Sequence, residues 1–171
     1  MLPAMITIVM GVSGSGKSTI GMGLAARLGQ PFVDGDHLHP QANRDKMARG
    51  IPLDDADRQP WLAAIAAEMD RHRQQGESLV VACSALKHRY RDFLRDGHDD
   101  VKFVYLHGSR ELLADRLGHR AGHFFDPALL DSQLATLEEP GDDEAMRVEI
   151  GKPPAELVEC IIRADCHGTR T

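Results

Sequence analysis

The sequence predicts an α/β fold, a five-stranded parallel sheet covered by helices, on three observations. Short apolar runs and helix-period stretches alternate along the chain, the pattern that strand–helix–strand units of a parallel sheet produce. The first apolar run, Met5–Met10, leads directly into Gly11-Val12-Ser13-Gly14-Ser15-Gly16-Lys17-Ser18, which fits the G-x-x-x-x-G-K-[ST] pattern of a phosphate-binding loop. Ile20, Leu24 and Leu28 then recur every fourth residue, one face of a helix opening at that loop. Strand, glycine loop and helix in this order begin a three-layer P-loop NTPase fold.

The remaining elements follow in chain order. Gln30-Pro31 breaks the first helix, and Phe32-Val33-Asp34 makes a short second strand ending in Asp34-Gly35-Asp36. A polar stretch from His37 to about Pro60 reads as an insertion, with a short helix around Asn43–Arg49. Asp54, Asp55 or Asp57 can cap the next helix, with Pro60 in its first turn and Trp61, Ile65 and Met69 on one face. Ser78–Ala82 is the third strand, followed by Cys83-Ser84-Ala85-Leu86-Lys87 and a helix to about Arg95; Val101–His107 is the fourth. Ser109 caps a helix to about Gly118. A Gly/His/Arg-rich second insertion, residues 118–127, precedes a helix opened by Asp126-Pro127, with Leu130, Leu134 and Leu137 as its apolar stripe. A weak strand at Met146–Ile150 and a helix over Pro154–Ala164, burying Leu157, Val158, Ile161 and Ile162, complete the pattern. The tail, residues 166–171, has no pattern and is expected to fray.

Length and composition narrow the function classes. A chain of 171 residues fits one domain, residues 1–171, with a real core. No apolar run approaches the ~20 residues that span a bilayer, and Met5–Met10 is too short for a signal region, so a soluble, cytoplasmic protein is expected. A net charge of −6 without a Lys/Arg block argues against a nucleic-acid partner. Cys83, Cys160 and Cys166 lack metal or disulfide spacing and read as reduced thiols.

The chemistry gathers where ligands collect in open α/β sheets, beyond the carboxyl ends of the strands. Glycines let the loop wrap a phosphate with its N–H groups turned inward, and the helix that follows adds the positive end of its dipole. The ATP-binding set is Gly11 to Ser18 with Thr19: Lys17 reaches the β- and γ-phosphates, and the Ser18 hydroxyl serves Mg²⁺. Asp34-Gly35-Asp36 taken alone is turn chemistry. Beside a phosphate loop, one carboxylate reads as a water-mediated Mg²⁺ holder and the other as acceptor of a hydroxyl proton. Arg116 and Arg120, four apart, lie on one face of a helix end; they are either a solvated basic terminus or arginines of a glycine-hinged lid over the phosphates. Lys87 follows a strand end and can hold an anion or hydroxyl. Asp57-Arg58-Gln59-Pro60-Trp61 is either a helix entry or a substrate contact. The scattered histidines show no zinc-ligand spacing.

Taken together, these stretches resemble the gluconate kinases (gluconokinases). The similarity runs through Gly11–Ser18, Asp34-Gly35-Asp36-His37-Leu38-His39-Pro40, Asn43 with Lys46-Met47, and Pro52-Leu53-Asp54-Asp55 with Asp57-Arg58-Gln59-Pro60-Trp61. It continues through Cys83–Lys87 with Tyr90-Arg91-Asp92, Arg120-Ala121-Gly122-His123-Phe124-Phe125 and Leu137-Glu138-Glu139-Pro140. The resemblance covers about residues 6 to 160 and joins this family to the shikimate and adenylate kinases. It implies Mg²⁺-dependent transfer of phosphate from ATP to the 6-hydroxyl of D-gluconate, a substrate-binding insertion at about 37–60, a lid at about 118–127, and commonly a homodimer. Carried onto these positions, it makes Asp36 the group that takes or orients the hydroxyl proton and Asp34 a partner of Ser18 at Mg²⁺. Arg58 and Lys87 are then the first candidates for the gluconate carboxylate and hydroxyls, with His39, Lys46 and Arg91 second. Arg116 and Arg120 are lid arginines, one of them against adenine, and His123 is a lid residue near the substrate. The rival readings are a kinase of another hydroxylated metabolite, shikimate-like or a nucleotide, and a non-catalytic NTP-binding module.

Overall fold

A computed structural model describes residues 3–119 and 127–166 of the chain. In order they form β1 (Ile6–Met10), α1 (Lys17–Leu28), β2 (Phe32–Asp34), a 3-10 turn (Gly35–Leu38), α2 (Gln41–Ala48), α3 (Asp55–Gln74), β3 (Leu79–Ala82), α4 (His88–Arg95), β4 (Val101–His107), α5 (Arg110–Gly118), α6 (Pro127–Thr136), β5 (Ala145–Glu149) and α7 (Pro154–Cys166). The five strands pair in the order β2-β3-β1-β4-β5, and every pairing is parallel. The three-layer P-loop fold expected from the alternation is what forms.

Because side chains alternate across a strand, the sheet sorts its apolar residues into two cores. Ile6, Ile8 and Met10 of β1 join Trp61, Ile65 and Met69 of α3 and Tyr90 and Leu94 of α4 on one face. Val9 joins Ile20 and Leu24 of α1, Leu113 of α5, Leu130 of α6 and Leu157, Val158 and Ile161 of α7 on the other. β1 is buried along its whole length, which is why it reads as a continuous apolar run rather than an alternating one.

The differences from expectation are local. Leu28 ends α1 and is 39% exposed, so the buried stripe of that helix is Ile20 and Leu24 with Gly21 and Ala25. Asp54 is the cap of α3: its carboxylate accepts from Asp57 N at 2.8 Å, and Asp57 accepts from Asp54 N at 3.0 Å, a reciprocal capping box. With the helix starting at Asp55, Pro60 sits in the second turn rather than the first, where its missing N–H removes one bond from the ladder. The edge strand β5 is only partly covered: Ala145 and Val148 are buried, in opposite cores, while Arg147 and Glu149 are exposed. Among the described residues no helix is long and apolar enough to cross a membrane. The tail, residues 167–171, lies outside the described residues.

Candidate active site

The loop between β1 and α1 has the backbone of a phosphate cradle. Gly14 and Gly16 take φ values of 85° and 92°, a region that side chains rarely enter. A Cβ on Gly14 would also stand 2.9 Å from the Leu113 carbonyl of α5, so the loop is seated against that helix by its lack of a side chain. Gly11, Val12 and Ser15 are buried beneath the loop. Lys17 folds its amine onto the Val12 carbonyl at 3.2 Å. These residues fit a polyphosphate, with the N-terminus of α1 directed at it.

Asp34, at the end of β2, uses both carboxylate oxygens. One accepts the Ser18 hydroxyl at 2.8 Å and the other the Asp36 backbone N–H at 3.0 Å. A hydroxyl and a carboxylate at that separation are hard oxygen donors of the kind Mg²⁺ takes beside phosphate oxygens, so the residues present fit that ion. Gly35 makes the turn possible for a steric reason: a Cβ there would meet the Ala82 carbonyl at 2.5 Å. The Gly35 carbonyl in turn accepts Trp61 Nε1 at 2.7 Å. Asp36 is left with an exposed carboxylate beyond the strand ends.

Two cavities meet at this point. The first, about 270 Å³, is bounded by Gly14, Gly16, Lys17, Ser18, Thr19 and Arg116. The second, about 240 Å³, is bounded by His39, Leu53, Arg58 and Trp61 on the insertion side and by Leu129, Ser132 and Gln133 of α6. Ser13, Lys17 and Asp36 line both, so the phosphate loop and a carboxylate stand at the junction. Arg116 reaches over the loop, its Nη1 3.7 Å from where a Gly16 Cβ would be.

The second cavity has a rigid wall. His39 stacks flat on Trp61, ring centroids 4.4 Å apart and planes within 10°. Asn43 Nδ2 lies 3.1 Å from His39 Nδ1 and donates to the Asp57 carbonyl at 2.8 Å. With Nδ1 facing a donor, the imidazole proton belongs on Nε2. Burial pushes the His39 pKa down, against the nearby Asp36 charge, which acts in the opposite direction. Arg58, 8% exposed, donates to the Tyr90 hydroxyl at 3.1 Å.

Three basic candidates are not brought to either cavity. Lys46 is spent on Asp57, at 2.9 and 2.8 Å, which buttresses the α3 cap. Lys87 pairs with Asp55 at 2.9 Å, a carboxylate that Tyr90 and Arg89 also engage. Arg91 is 1% exposed and donates to the Ala85 and Glu138 carbonyls, each at 2.7 Å, with Glu144 as its ion pair. It staples α4 to the chain beyond α6, a structural task in place of the substrate contact expected. Arg120 and His123 lie outside the described residues. Sequence reasoning missed Gln133, whose Oε1 accepts from Ser13 N at 2.8 Å and Ser13 Oγ at 3.1 Å; as one polar residue on an amphipathic helix it carried no local signal.

A cradle for a polyphosphate, hydroxyl and carboxylate donors for a divalent ion, and an adjoining cavity of mixed polar and apolar lining define the fold and site of a P-loop kinase for small acceptors. A family model for shikimate kinase matches residues 13–145. The chain is 51% identical over 157 residues to a gluconokinase of Gluconobacter oxydans, covering 91% of this chain and 88% of that one. To the thermoresistant gluconokinase of Escherichia coli it is 45% identical over 150 residues, covering 86% of each. The crystal structure of a gluconokinase from Sinorhizobium meliloti superposes with a TM-score of 0.84 at 46% identity over 96% of both chains. The chain belongs to the gluconokinases, within the shikimate-kinase group of P-loop kinases.

Proposed function

We propose that the chain transfers the γ-phosphoryl group of ATP to the 6-hydroxyl of D-gluconate, giving ADP and 6-phospho-D-gluconate. The observation that carries this reading is the pair of abutting cavities sharing Ser13, Lys17 and Asp36. One holds the triphosphate and the other the acceptor, so the reacting groups meet at a lysine and a carboxylate. The relatives named gluconokinase supply the identity of the acceptor.

In this reading the backbone N–H groups of the loop and Lys17 hold the β- and γ-phosphates. Arg116, together with Arg120 as the second arginine the sequence offers, neutralises charge on the transferring group. Ser18 and Asp34 would hold Mg²⁺, which would supply positive charge against the charge that develops on the transferring phosphate. Asp36 accepts the proton of the 6-hydroxyl as its oxygen bonds to the γ-phosphorus and the bond to the ADP oxygen breaks. Arg58 takes the gluconate carboxylate, while His39, fixed flat on Trp61, offers its Nε2–H to a hydroxyl. Lys46, Lys87 and Arg91 are left out, each being committed to a partner of its own. Homodimer assembly and a cytoplasmic location belong to the same reading and are checked by light scattering and fractionation.

The test is ADP release with MgATP across gluconate, shikimate, AMP and related sugar acids, with product mass determined. Gluconate-dependent ADP and a product heavier by one phosphoryl group are expected. Turnover with shikimate or AMP and none with gluconate would overturn the assignment, and slow hydrolysis indifferent to every acceptor would make the chain a binding module.

A further inference from the structure

Gln133 stands on α6, in the wall of the acceptor cavity, and does not line the nucleotide cavity. Its orientation is fixed by what it meets. The Ser13 backbone N–H can only donate, so the atom 2.8 Å from it must be the amide oxygen. The Ser13 hydroxyl, 3.1 Å from the same oxygen, adds a second donor. An amide held this way by its oxygen cannot flip without facing donor to donor, so its NH₂ group is turned away from Ser13. The side chain is half-buried and lines the second cavity, so the two N–H donors of that group belong to the cavity wall. The ligand chemistry that satisfies them is an oxygen acceptor: a hydroxyl or carboxylate oxygen of the molecule in the second cavity.

We infer that Gln133 is a specificity-determining residue, which binds one oxygen of the polyhydroxy acid through Nε2 while Ser13 of the phosphate loop holds its amide in place. This rests on the acceptor role of the second cavity. Arg58 is a charge that any anion would satisfy, whereas a neutral, oriented donor distinguishes acceptors by where their oxygens stand. A donor left unpaired by a wrong acceptor costs more than a correct pairing yields, which is how such a residue discriminates.

The test uses Gln133→Met, which keeps length and volume but removes both amide functions, and Gln133→Glu, which keeps an oxygen for Ser13, removes the donors and adds a negative charge. Each is assayed against a panel of sugar acids that lack or invert one hydroxyl at a time. Both variants are expected to raise the KM for the acceptor about tenfold or more, and in Gln133→Met the KM for ATP changes far less. Both are also expected to flatten the preference of the wild type at one oxygen of the acceptor while leaving the others intact. A purely structural role would raise both KM values together and leave discrimination at every position unchanged, and that result would overturn the inference. So would wild-type behaviour of Gln133→Glu. If the wild type turns over a sugar acid other than gluconate, the identity of the acceptor falls, and the same comparison on that acceptor still decides the role of Gln133.

Discussion

Asp34 and Asp36 are two residues apart in different surroundings, and the proposed mechanism gives them different work. Asp34 has both oxygens committed, to Ser18 and to the Asp36 N–H, so it is poised to hold an ion rather than to take a proton. Asp36 has an exposed carboxylate at the junction of the cavities. Asp36→Asn is expected to lower kcat about 10²–10⁴-fold while ATP binding by calorimetry stays near wild type; unchanged turnover would remove Asp36 from the reaction. His39 makes a second prediction at this scale. Its folded pKa lies below the ordinary 6.5, chiefly through burial. Above pH 6.5 the ring is neutral in both folded and unfolded chains, and the stability tied to the shift is fully present. As pH falls below that value the unfolded chain takes the proton first, and stability drops until the folded ring titrates as well. Urea midpoints should therefore fall from about pH 6.5 downward, less steeply in His39→Gln.

At the scale of elements, the insertion after β2 is held by contacts that a close backbone approach permits. Gly35 lies against the Ala82 carbonyl and hands its own carbonyl to Trp61. Gly35→Ala is expected to displace Asp34 and Asp36 together and to lower kcat at least tenfold, while the far-ultraviolet circular dichroism remains that of the folded chain. Arg91 belongs to a different joint. Its removal as Arg91→Ala leaves Glu144 and two carbonyls without their buried partner, and a loss of about 3–5 kcal/mol in chemical denaturation is expected. The KM values of the folded fraction should stay unchanged, in contrast to a substrate contact.

These elements also show what is legible in a sequence. The phosphate loop, the capped start of α3 and the strand β4 are local patterns, and residue type and spacing alone specify them. The fate of basic residues is not local. Arg58, Lys46, Lys87 and Arg91 look alike in the chain, yet acidic neighbours at Asp55 and Asp57 capture two, and two carbonyls with Glu144 bury a third. Gln133 meets Ser13 across 120 residues of sequence, a pairing that only the assembled sheet creates.

For the whole molecule, strand order matters more than any single contact. With β1 and β3 adjacent and β2 beyond β3, the phosphate loop after β1 and the Asp34–Asp36 turn after β2 open on the same edge, as ligands in open α/β sheets require. The helices of the opposite layer, α5 and α6, then bring Arg116 and Gln133 to that edge. The central claim is that the two joined cavities hold nucleotide and acceptor in line for transfer. A crystal structure with D-gluconate, Mg²⁺ and a non-hydrolysable ATP analogue tests it directly. The account predicts the terminal phosphate over the Gly14–Ser18 loop and the sugar acid against His39 and Arg58, with its 6-hydroxyl within hydrogen-bonding distance of Asp36. Gluconate bound elsewhere, with that hydroxyl remote from both Asp36 and the terminal phosphate, would contradict it.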